Sequence, residues 1–186
     1  EAVKPYFQRF MDTLPDIAAL AEAPEETLLK LWEGLGYYNR VRNLQKAAIQ
    51  IMEDYAGIMP DSYEELLKLK GIGSYTAGAV SSIAYGKPNP AVDGNVLRVI
   101  ARIRKDDRCI SEDKVKKAVE KDLWEVIPKD RPGDFNQAMM ELGAVVCVPN
   151  GQPKCDLCPV RGFCQAGLHG TMEKFPVKAP KKPRVV

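Results

Sequence analysis

The chain has 186 residues, of which 45% are hydrophobic and 28% charged, and its net charge is +2. That length buries a core in one domain or two small ones, and the composition excludes a disordered or fibrous chain. With no apolar run long enough to span a bilayer, and no basic and apolar start of a signal peptide in EAVKPYFQRF, no membrane partner and a cytoplasmic setting are expected.

The opening also lacks a methionine, and an amphipathic pattern is already under way, which points to a fragment or processed chain. The periodicity is helical throughout, so the fold class is all-α, with about eight to ten helices expected. Pro24, Glu25 and Glu26 open a helix whose stripe is Leu28, Leu31 and Leu35, and Gly34 and Gly36 end it. Val41, Leu44, Ala48, Ile51 and Tyr55 form a second stripe, with Arg40, Arg42 and Lys46 on its outer face. In DSYEELLKLK, Asp61 with Glu64 reads as a capping box. Gly71 stops that helix and TAGAVSSIAYG resumes one.

After the loop KPNPAVDG, helical spacing returns at Val96, Val99, Ile100 and Ile103, and Asp93 reads as the N-cap of that helix. Ser111 opens the next helix, with Val115, Val119, Leu123 and Val126 inside. Asp134 and Gln137 open the last long one, which delivers Cys147 at its end. The best division of the chain lies at the Pro-Asn-Pro loop, giving units 1–88 and 89–173. A tail of residues 174–186 carries Lys174, Lys178, Lys181, Lys182 and Arg184 without an acid and reads as a solvated linker.

Two patterns carry chemistry. In LKLKGIGSYTAGA two helices meet through Gly71-Ile72-Gly73. Glycines there permit positive φ and expose backbone N–H groups suited to an anion such as a DNA phosphate, with Ile72 locking the turn into the core. A plain interhelical turn explains the residues equally well. The other pattern is C-x7-C-x2-C-x5-C at Cys147, Cys155, Cys158 and Cys164, four of the five cysteines. Disulfides are disfavoured without secretion, and from the residues alone zinc and an iron–sulfur centre stand level. Cys109 is left over and reads as a small buried residue.

LKLKGIGSYTAGA resembles the helix-hairpin-helix of the DNA glycosylase superfamily that includes endonuclease III, and AVDGNVLRV resembles that superfamily's catalytic aspartate segment. WEGLGYYNRVRNL and FNQAMMELGAVVC are similar, more narrowly, to the A/G-specific adenine DNA glycosylases of the MutY type. The resemblance runs over nearly all of residues 1–173. It implies a six-helix-barrel lobe bearing the hairpin, lacking its first helices here, and a second lobe in which the four cysteines hold a [4Fe–4S] cluster. The family's first cysteine gap is usually one residue shorter, so VPNGQPK carries an insertion.

The implied reaction is hydrolysis of the N-glycosidic bond of adenine mispaired with 8-oxoguanine or guanine in double-stranded DNA, after the adenine leaves the stack. Asp93 would stabilise the positive charge on the sugar, with Asn95 as its hydrogen-bond partner. Where the strand-nicking relatives carry a Schiff-base lysine, this chain has Tyr75, which implies a monofunctional enzyme with Tyr75 packing near the sugar. Tyr37 matches the aromatic inserted beside 8-oxoguanine, and Arg40 and Arg42 are candidate phosphate contacts. The general-acid glutamate helix and the carboxy-terminal recognition domain fall outside the sequence, so a monomer that binds DNA weakly and does not excise adenine is expected. The rivals are a bifunctional glycosylase/lyase and a non-catalytic helical DNA-binding module holding zinc.

Overall fold

In the computed structural model, residues 3–180 are described, and among them every regular element is helical. The chain folds as two compact units, Glu1–Gly73 and Ser74–Val186. No helix among the described residues is long and apolar enough to cross a membrane.

The first unit holds α1 (Lys4–Thr13), α2 (Ile17–Glu22), α3 (Glu25–Trp32), α4 (Asn39–Asp54) and the single turn α5 (Tyr63–Leu66). Leu28 and Val41 are fully buried and, with Leu14 and Ala23, form a core on which Phe10, Leu31 and Trp32 pack. An apolar pocket of about 450 Å³ opens beside it, lined by Phe7, Phe10, Met11, Leu20, Leu31 and Trp32. Pro24 is the N-cap of α3 rather than its first helical residue. The helix stops at Trp32, so Leu35 lies in the following turn. The capping box expected at Asp61 and Glu64 sits one residue later. Ser62 is the N-cap of α5, and its hydroxyl accepts from the Glu65 backbone N–H at 3.2 Å. Serine suits the extended cap geometry, and Glu65 gains a second use by accepting from the Tyr55 hydroxyl at 2.7 Å.

The second unit holds α6 (Ser74–Ile83), α7 (Gly94–Arg104), α8 (Asp113–Val126), α9 (Pro132–Glu141), a π-helical turn Leu142–Val146, and α10 (Gln165–Leu168). Its core gathers Val96, Leu97, Ile100, Ala101, Val119 and Leu123. Val126, expected inside, is exposed at the end of α8. The division at Gly73 differs from the sequence expectation near residue 88, because the Pro-Asn-Pro loop is stitched into the second unit. Asn136, buried on α9, donates from Nδ2 to the Ser82 hydroxyl (2.8 Å) and the Asn89 carbonyl (2.9 Å), and its Oδ1 accepts from the Ala91 N–H (3.0 Å).

Gly78 lets the same loop press against α6. A Cβ at Gly78 would lie 2.0 Å from the Pro90 carbonyl oxygen and 2.7 Å from its carbon. Backbone cannot yield as a side chain does, so Gly78→Ala is expected to cost about 3 kcal/mol. A lowered urea midpoint at unchanged slope reports it, and a variant that unfolds like the parent would contradict this packing.

The tail is docked at its start. Phe175 is buried, the Ile110 N–H donates to the Val177 carbonyl at 3.0 Å, and the Ala179 N–H donates to the Ser111 hydroxyl at 3.4 Å. The linker reading therefore fails for residues 174–179, where one aromatic and two backbone pairings anchor the chain. Lys181, Lys182 and Arg184 lie outside the described residues.

Candidate active site and cysteine pocket

Asp93 is held by two short hydrogen bonds at the start of α7. Its Oδ1 accepts from the Val96 backbone N–H at 2.8 Å, the N-cap bond expected for this position, and its Oδ2 accepts from Asn95 Nδ2 at 2.8 Å. The N-cap reading is thus observed, and it leaves room for a functional one. Each oxygen keeps a further lone-pair direction, and the residue stays half-exposed.

Asn95 is itself oriented. Its Oδ1 accepts from Arg98 Nη2 at 2.8 Å, which fixes the amide so that Nδ2 faces Asp93. Arg98, only 5% exposed, also donates to the Gly143 carbonyl (2.7 Å) and the Cys147 carbonyl (2.8 Å). Burial first, and the Arg102 charge second, lower its affinity for its proton, while Cys147 and Asp93 pull the other way. Gly143 makes this approach possible, since a Cβ there would sit 2.6 Å from the Asn95 Cβ.

One turn further along α7, Arg102 is equally buried. Its Nε donates to the carbonyls of Phe175 (2.9 Å) and Met172 (3.2 Å). Its Nη1 reaches the carbonyls of Val148 (3.0 Å) and Cys147 (3.2 Å) and the Cys147 Sγ (3.2 Å). In the sequence Arg98, Arg102, Arg104 and Lys105 form a basic cluster. Two of its members instead point inward and tie loops together, and Arg104 pairs with Asp122.

Cys147, Cys155, Cys158 and Cys164 line one pocket, walled by apolar groups that include Val99, Leu142 and Val146. Burial first, and then Cys147, Cys158 and Cys164, push the Cys155 thiol up, with Arg102 opposing. Four soft sulfur donors beside a buried guanidinium suit an anionic thiolate-bound group, whose charge Arg102 would offset. Among the described residues no three histidine, cysteine or acidic side chains gather closely enough to hold one metal ion. Cys109 is half-exposed rather than buried and is absent from the pocket wall.

Tyr75, on α6, is 41% exposed, and its hydroxyl donates to Met140 Sδ at 3.5 Å. In the hairpin Gly71 takes φ +77°, with Asn43 packed where a Cβ would stand. Gly73 is not in the left-handed region, and Ile72 is half-buried, so Leu69, two residues before Gly71, is the core anchor of this turn.

Tyr37 is 80% exposed at φ +50°, a left-handed conformation that costs a non-glycine residue about 1–3 kcal/mol. The Arg40 guanidinium lies 5.3 Å from the centre of its ring. Arg42 already has a carboxylate partner, Glu25 at 2.6 Å, so of the two arginines Arg40 is the better placed to meet a phosphate.

Sequence reasoning missed Arg98, Arg102 and Asn136. A signal existed for Asn136, a polar residue on the Pro132, Met139, Gly143 stripe of its helix, where burial demands hydrogen-bond partners.

A family model described as HhH-GPD superfamily base excision DNA repair protein matches residues 1–129. The adenine DNA glycosylase of Buchnera aphidicola subsp. Acyrthosiphon pisum (strain APS) is 39% identical over 182 residues, covering 96% of this chain and 51% of that protein. The adenine DNA glycosylase of Mus musculus is 45% identical over 166 residues, covering 87% of this chain and 31% of that one. The chain therefore spans about half the length of the first relative and a third of the second. Among solved structures, a thermostable thymine-DNA glycosylase matches with a TM-score of 0.80 at 27% identity, over 90% of this chain and 76% of its own. A non-covalent endonuclease III–DNA complex matches with a TM-score of 0.77 at 32% identity, over 91% of this chain and 77% of that one. The helical fold, the glycine hairpin and the Asp93 segment thus belong to a member of the HhH-GPD superfamily of base excision DNA repair proteins.

Proposed function

We propose that residues 1–186 belong to a monofunctional adenine DNA glycosylase that acts on adenine opposite 8-oxoguanine or guanine in duplex DNA. The observation that carries the reading is the chain Asp93–Asn95–Arg98, which aims and fixes one carboxylate without neutralising it. In the reaction the bond from C1′ to the adenine nitrogen breaks. Positive charge builds on the sugar, Asp93 stabilises it, and water adds at C1′. Protonation of the departing adenine is a separate task assigned to no residue here. Asn95 keeps the carboxylate oriented, and Tyr75 brings no amine to the sugar, so no Schiff base forms.

Cys147, Cys155, Cys158 and Cys164 would hold a [4Fe–4S] cluster, and the donor set, the apolar walls and Arg102 support that assignment over zinc. When bound, such a cluster would cross-link the segment Cys147–Cys164 and fix the carbonyls that Arg98 and Arg102 grip. Gly71, Ile72 and Gly73 would take a backbone phosphate, Tyr37 would wedge beside the lesion, and Arg40 would meet the phosphate next to it.

The test is adenine release from a duplex with adenine opposite 8-oxoguanine, using a chimera that carries residues 1–186 in place of the matched half of the Buchnera protein. Free adenine is expected, with a strand that breaks only on later alkali treatment. Borohydride should trap no protein–DNA adduct, and an adduct would favour the glycosylase/lyase reading. Intact adenine in a folded chimera that binds the duplex would sink the proposal.

A further inference from the structure

Trp32 ends α3, and its indole N–H donates to the Gly36 carbonyl at 2.9 Å. The indole is not free to follow a moving loop. It meets Phe10 edge-on, with ring centres 6.4 Å apart and planes at 77°, and it packs on the Leu14, Leu28 and Val41 core. The loop it grips contains three left-handed residues, Gly34, Gly36 and Tyr37. Glycine takes that conformation without steric cost, and tyrosine does not.

We propose that Trp32 is a positioning residue that holds Tyr37 in its exposed, left-handed pose, and the proposal rests on Tyr37 acting as the wedge described above. The peptide unit joining Gly36 to Tyr37 is planar, so a bond that fixes the Gly36 carbonyl also fixes the Tyr37 nitrogen and one side of its φ rotation. The other side is fixed by the Tyr37 carbonyl, which accepts from the Arg40 N–H at 2.8 Å. Tyr37 is thus clamped on both flanks, and only the Trp32 clamp comes from a side chain rooted in the core. Without it the backbone relaxes toward negative φ, and the phenol leaves the direction in which it can enter a base stack. An indole is needed because the site asks for one donor on an otherwise apolar body. Trp32→Phe removes the donor and keeps most of the packing.

The experiment is a double-mutant cycle read by affinity for a duplex that carries 8-oxoguanine opposite a cleavage-resistant 2′-fluoro-adenine. Trp32→Phe is expected to weaken binding about 3- to 10-fold, the worth of one hydrogen bond. Tyr37→Ser is expected to weaken it about 10-fold or more through lost stacking. The double variant should bind like Tyr37→Ser alone, since Trp32 acts only through Tyr37. A purely structural tryptophan would cost the same factor in both backgrounds, and that result overturns the proposal, as does unchanged binding by Trp32→Phe. If Tyr37→Ser binds like the parent, the wedge reading falls and this proposal with it. If only Trp32→Phe is silent, the wedge stands and the clamp falls.

Discussion

Asp93→Asn is expected to slow adenine release about 10²- to 10³-fold while leaving duplex affinity within a small factor of the parent. The asparagine is nearly isosteric, and its Oδ1 can still cap Val96, so α7 should start where it does now. What disappears is the charge that, on the proposed mechanism, would face the sugar as the glycosidic bond breaks. The Asn95 amide would then face either an oxygen or a second amide, depending on how the new side chain turns. Single-turnover kinetics at saturating chimera separate the two quantities, because binding and bond cleavage are read independently. Equal losses in affinity and rate would mean that Asp93 acts mainly as a helix cap.

Arg102→Met should have the largest effect on the second unit. Its guanidinium joins four carbonyls drawn from the Cys147–Val148 and Met172–Phe175 segments. Methionine fills a similar volume and donates to none of them. Leaving several buried acceptors unpaired costs about 3 kcal/mol or more. The expected readouts are a lowered urea midpoint and, if the parent holds the proposed cluster, a loss of iron and visible absorption relative to it. Zinc in the parent would defeat the cluster assignment, whatever the variant does. A variant as stable as the parent would contradict the inward placement of Arg102.

Much of this was legible in the residues. Helices 39–54 and 113–126 follow from stripes of apolar residues at helical spacing, and Asp93 before a glycine announces a cap. Four cysteines within eighteen residues pointed to one site, and they line a single pocket. Harder to read were side chains whose role depends on tertiary partners. Arg98 and Arg102 look like any exposed basic pair one turn apart, and only burial on both flanks of α7 turns them inward. The unit boundary was misjudged because prolines near 88 suggest a linker, while Asn136, some 45 residues later, sews that loop down. The tail misled for the same reason. Its lysines dominate the composition, and one phenylalanine decides the structure.

The wide turn at Leu142–Val146 has an implication for how such a chain tolerates length changes. The Cys147 N–H bonds the Leu142 carbonyl, five residues back rather than four, at 2.7 Å. An i→i−5 turn comes back to the same angular phase with one more residue than an i→i−4 turn does, so deleting one residue there would restore ordinary winding and leave Cys147 facing nearly the same way. Downstream, VPNGQPK has no regular structure, and its slack can absorb a change in length. The wide turn is therefore where a change of one residue upstream of the first thiol is absorbed without turning it away, whereas the same change inside regular α winding would rotate it by about 100°.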